Sequence, residues 1–142
     1  MSELLNKIKK YIEFEERINE LLASLNTIKG KLRERRIVKD IGELEDSCDL
    51  FYQQIQEDID KLGEDDSIVL KKTLDDKINL IEKETDELYL RADNTSDKKE
   101  ISVILDKISK IQEKENYYYQ ILNYLIHKNN VKKISYVLDY DE

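Results

Sequence analysis

The chain of 142 residues contains no proline and only three glycines, so the turn residues that punctuate β-rich folds are nearly absent. It has one cysteine, Cys48, which excludes an internal disulfide, and this predicts a reducing, cytoplasmic location. One cysteine and one histidine, His127, are too few for a zinc site. There is no glycine-rich phosphate loop. No apolar run approaches the roughly 18–20 residues that span a bilayer, and lysines interrupt the first ten residues, so neither membrane insertion nor a signal peptide is expected. Positive charge is also in deficit. The net charge of −8 fits poorly with nucleic acid or an anionic membrane and is read as solubility.

What is present is charge and periodicity. Charged residues and hydrophobic residues each make up 39% of the chain. That balance suits helices with a narrow apolar stripe and wide solvated flanks. The regular recurrence of Leu, Ile, Val, Phe and Tyr argues against disorder. The expected fold is all-α: long antiparallel helices forming a coiled-coil-like bundle of three to four helices. A single domain is expected over 1–130, followed by an extended or flexible tail over 131–142.

The spacing of Leu4, Ile8, Tyr11, Ile18, Leu22, Leu25 and Leu32 predicts a first helix from Ser2 to about Arg36, with Ser2 as its cap and Gly30 marking its end or a bend. A second helix is predicted from Asp40 to Leu62, with Asp40 and Glu43 as a capping-box-like pair and Gly63 after its last apolar residue. Leu70, Leu74, Ile78, Ile81 and Leu88 define a third, from about Ser67 to Arg91. The sequence Asp93-Asn94-Thr95-Ser96 reads as a loop, or as an exposed turn within one long kinked helix. A fourth helix is predicted from Asp97 to Lys128. Beyond Asn130, Ile134, Tyr136, Leu138 and Tyr140 alternate with a period of two.

Few residues point to catalysis. His127 is placed at the end of the last helix, where a cation complements the dipole, and no Glu lies three residues before it as a diiron bundle would require. Cys48 falls on the apolar stripe and reads as a small core residue. Asp58, Asp60 and Gly63 imitate the start of a calcium loop. The imitation fails at Leu62, Asp65 and Val69, where an oxygen ligand, a hydrophobic anchor and a bidentate Glu belong. No catalytic residue, metal or cofactor is expected, and an enzyme is the least favoured class.

Two clusters point instead to binding. Lys29, Lys31, Arg33, Arg35, Arg36 and Lys39 form the main basic patch, read as the solvated end of the first helix or as a contact for an acidic partner. Nine tyrosines without a tryptophan is an unusual aromatic usage, and Tyr117, Tyr118, Tyr119 and Tyr124 crowd the last helix. Consecutive residues on a helix are roughly 100° apart, so three adjacent tyrosines cannot share one narrow core. Tyr117, Tyr118, Ile121, Leu122, Tyr124 and Leu125, with Tyr136 and Tyr140 in the tail, are therefore the expected protein-binding residues. A homodimer would also bury this surface.

The sequence resembles the FlgN family of flagellar export chaperones. The resemblance rests on the length and all-α composition, on Arg35-Arg36-Ile37-Val38-Lys39-Asp40-Ile41-Gly42-Glu43-Leu44-Glu45, which looks like that family's hinge, and on Leu105-Asp106-Lys107-Ile108-Ser109-Lys110-Ile111-Gln112-Glu113-Lys114-Glu115-Asn116 before an aromatic stretch. It departs from the family in Gly42 and in the tyrosine-rich tail. It implies a cytosolic chaperone that binds the C-terminal segments of hook–filament junction proteins and keeps them soluble for export. The alternatives are a structural coiled-coil subunit of a larger assembly and a small phage- or plasmid-encoded inhibitor.

Overall fold

A computed structural model describes the backbone of residues 1–140 and the side chains of residues 1–130. The chain is all-α, with four long helices: α1 (Ser2–Leu25), α2 (Lys31–Asp60), α3 (Glu64–Asp93) and α4 (Lys98–Tyr140). It divides into two compact units, Met1–Lys61 and the remainder from Leu62, where one domain over 1–130 was the expectation. Each unit is a hairpin of two antiparallel helices. None of the described helices is long and apolar enough to cross a membrane.

The first helix is shorter than its apolar spacing predicts. It stops at Leu25, and the amides of Asn26 and Thr27 turn back to the carbonyls of Ala23 and Ser24. Gly30 then takes φ 119°, a left-handed conformation that glycine adopts without the steric cost a side chain would bring. No helix runs through that conformation, so Gly30 caps α2. The basic residues from Lys31 onward therefore open a helix rather than close one. Their charge opposes the dipole there instead of complementing it. Asp40 lies inside α2 and caps nothing, because the amides it would bond already serve helical carbonyls.

In the first unit, residue numbers rise along α1 as they fall along α2. Lys7 Nζ lies 2.7 Å from the Asp58 carboxylate. The rings of Tyr11 and Tyr52 are 5.4 Å apart, as are those of Phe14 and Phe51. Leu4, Ile8, Ile12 and Ile18 on α1 and Ile41, Cys48, Ile55 and Ile59 on α2 are buried. Ile55 and Ile59 have no exposure at all, and burying each side chain contributes about 1.5–3 kcal/mol.

In the second unit, Gly63 precedes α3 with extended backbone (ψ 172°) and starts this helix rather than ending α2. The carboxylates Glu64, Asp65 and Asp66 fill the first turn, where they favour the dipole. The four residues 94–97 form a true loop that separates α3 from α4. The Asp97 carboxylate accepts the Lys99 amide at 3.0 Å and caps α4. Leu88 packs with Ile104 and Ile108, and Leu70, Leu74, Ile78 and Ile81 continue the buried face of α3. Thr85 is buried among them, its hydroxyl donating to the Ile81 carbonyl at 2.9 Å.

Helix α4 does not end near Lys128 but continues to Tyr140, through the stretch whose alternation predicts an extended tail. Val131, Ile134 and Leu138 also recur at helical spacing, and no proline or glycine interrupts them, so the period of two did not decide the backbone. His127 accordingly lies well inside a helix, away from the unpaired carbonyls of its C-terminal end.

Candidate protein-binding surface on the last helix

Tyr117, Tyr118 and Tyr119 point in three directions around α4, as their rotation of roughly 100° per residue requires. Tyr118 is the inward one, at 9% exposure. Ile121, Leu122 and Leu125 follow it at helical spacing and are likewise buried, Ile121 and Leu125 completely. These four residues, expected to meet a partner, are instead interior residues of the folded chain. Their spacing is that of the packing stripe itself, and a stripe of that regularity is first used to hold the helix in place.

The flanks of that stripe remain. Tyr117 and Tyr124 are half-buried and stand seven residues apart, two turns of helix, on one side of it. Tyr119 lies half-buried on the other side, its hydroxyl donating to the Glu82 carboxylate of α3 at 3.0 Å. Exposed Ile126 is on that second side as well, two turns beyond Tyr119. Tyr136 and Tyr140 belong to α4 by backbone, but their side chains lie outside the described residues.

The Tyr119 flank is rich in carboxylates. The Tyr119 hydroxyl is pushed above its usual range, first by its hydrogen bond to Glu82, then by burial and by the negative charges of Glu82, Glu115 and Asp75. The Glu115 carboxyl, one turn before Tyr119, is also pushed up, by burial first and then by Glu82. This side of the hairpin is a cluster of acceptors and would disfavour an acidic ligand. Sequence reasoning missed it because Glu82 and Tyr119 are 37 residues apart and nothing local announces their pairing.

Cys48 is buried at 2% exposure beside Glu15 of α1. Its thiol is pushed up to about 12 by burial, then by the charge of Glu15 and the hydrogen bond to it, then by Asp49 and Glu45. A thiol so held is not a nucleophile at neutral pH. Asp58 of the calcium-like sequence is engaged by Lys7. Among the described residues, no group of three or more His, Cys, Asp or Glu side chains is arranged to hold a metal ion. The basic residues at the start of α2 are exposed, and Lys31, Glu34, Arg35 and Val38 line an open hollow of about 430 Å³. No family model matches this chain, and no curated protein or solved structure matches it.

Proposed function

We propose that the chain is a protein-binding helical module of the cytoplasm. It acts as a holding chaperone of the kind implied by its resemblance to the FlgN family. The observation that carries this reading is the pair Tyr117 and Tyr124, half-buried at heptad spacing along one flank of α4. An amphipathic segment of another protein, folding as it binds, would lay its apolar face along such a row. Tyrosines suit that task because each offers a rigid apolar ring and a hydroxyl at low entropic cost. The partner class follows from the resemblance: C-terminal segments of hook–filament junction proteins.

The test is a calorimetric titration of the intact chain with synthetic peptides copying the C-terminal segments of the host's own junction proteins. Saturable one-to-one binding, with a gain of peptide helicity by circular dichroism, is the expected result. If none of the peptides binds at concentrations up to about 1 mM, where the standard free energy would be near −4 kcal/mol, the junction-protein reading is wrong.

A further inference from the structure

The outward face of α2 carries its charges in two separate blocks. The nine residues Lys31–Lys39 hold five cations and one Glu, whereas Glu43–Glu57 hold five carboxylates and no cation. The buried residues Ile41, Cys48, Ile55 and Ile59 fix which side of α2 faces inward. At roughly 100° per residue, the opposite side bears Lys31, Leu32, Arg35, Arg36 and Lys39, then Gly42, then Glu43, Asp46 and Leu50. All of these except half-buried Gly42 are exposed. Leu32 is 82% exposed and Leu50 57%, large apolar side chains each set within one charge block. Among the described residues, none of Lys31, Arg35, Arg36, Lys39, Glu43 and Asp46 forms an ion pair within the chain.

From this pattern we propose that the outward face of α2 is a self-complementary dimer interface, on which a second copy of the chain lies antiparallel. A two-fold axis near residue 41 sets Lys39 opposite Glu43 of the second copy and Arg36 opposite Asp46. It also sets Leu32 opposite Leu50, and every contact occurs twice, as an isologous interface requires. The two leucines become the apolar contacts inside a charged rim. Gly42 falls beside the axis, where the two backbones approach most closely. An added Cβ at Gly42 meets no atom within 4 Å in its own chain, so packing within the chain does not demand glycine there. A parallel pairing would set like charge against like charge along the whole face. A free polyanion would gain the basic block but would meet the carboxylates directly beyond it.

The experiment is sedimentation equilibrium of the intact chain across salt concentrations, joined to charge reversal. The wild type should be a dimer at low ionic strength and dissociate as salt rises, because the paired charges lie at the surface. The variants Arg36→Glu/Lys39→Glu and Glu43→Lys/Asp46→Lys should each dimerise at least tenfold more weakly, with helicity retained. An equimolar mixture of the two should recover a heterodimer, since each reversed residue then meets a reversed partner: the new Glu at 39 and 36 faces the new Lys at 43 and 46, and the unchanged pairs remain opposite in charge. Under oxidation, Gly42→Cys should cross-link to itself. Leu32→Cys should cross-link to Leu50→Cys and not to itself. Cys48 is buried, so the wild type serves as the control. A chain that stays monomeric at low salt, a dimer indifferent to both charge reversals, or self-linked Leu32→Cys would each overturn the proposal.

Discussion

Leu125→Ala should destabilise the unit from Leu62 onward by about 2–5 kcal/mol, the usual cost of emptying a fully buried leucine site. Leu125 has no solvent exposure, so the substitution removes packing on every side, and rigid helices close such a cavity only in part. Tyr118→Ala should be at least as damaging, at about 3–5 kcal/mol, because a ring at 9% exposure fills more space than a leucine. Tyr117→Ala, by contrast, removes a side chain that is only partly buried and should cost less. Urea denaturation followed by circular dichroism gives the comparison directly. If Leu125→Ala and Tyr117→Ala melt alike, the assignment of interior and flank on α4 is wrong.

The second large effect is a loss of stability in alkali that depends on one thiol. Cys48 holds its proton in the folded chain up to about pH 12, against an ordinary value of 9.0. Between those limits the unfolded chain has released this proton and the folded chain has not. Stability from this group is therefore fully present below pH 9 and falls as pH rises above it. The slope is of order 1 kcal/mol per pH unit, and the loss continues until the folded thiol itself ionises. Cys48→Ala should abolish that part of the pH dependence. Cys48 should also resist a thiol reagent at pH 8 until the first hairpin unfolds. Rapid labelling of the native protein would show that the thiol is neither buried nor held by Glu15 as described.

How much of this could be read from the sequence differs from element to element. The buried face of α3 was legible almost residue by residue: Leu70, Leu74, Ile78, Ile81 and Leu88 recur at helical spacing and all are buried. The loop at Asp93-Asn94-Thr95-Ser96 was legible as a run of turn-forming residues. The break between α1 and α2 was legible only in part, as an end or a bend at Gly30, because Leu25, Ile28 and Leu32 continue the apolar rhythm across it. Leu32 keeps that rhythm and is 82% exposed. The break is set by one backbone conformation at Gly30, and periodicity carries no information about that. The same error turned the basic residues from Lys31 onward into a helix end and made Asp40 a cap.

The candidate site was legible in composition and not in orientation. The crowding of tyrosine on α4 marked the region, and the angular argument required that adjacent tyrosines diverge. Which of the three turned inward depended on the pairing of α4 with its surroundings. That pairing joins residues as distant as Glu82 and Tyr119, and no local pattern encodes it. The division into two hairpins was hidden for the same reason. A helix that is apolar on one face looks alike whether it packs in a pair or in a larger bundle.

The central claim is that Tyr117 and Tyr124 form the contact through which this chain holds another protein. The most direct measurement is the affinity of Tyr117→Ala/Tyr124→Ala for the junction-protein peptides, set beside its urea midpoint. Aromatic anchors at interfaces commonly contribute about 2 kcal/mol or more, so the variant should bind at least about 30-fold more weakly, at roughly 1.4 kcal/mol per tenfold. Its helicity should be retained and its stability should remain well above that of Leu125→Ala. Binding as tight as the wild type, in a chain equally folded, would contradict the claim.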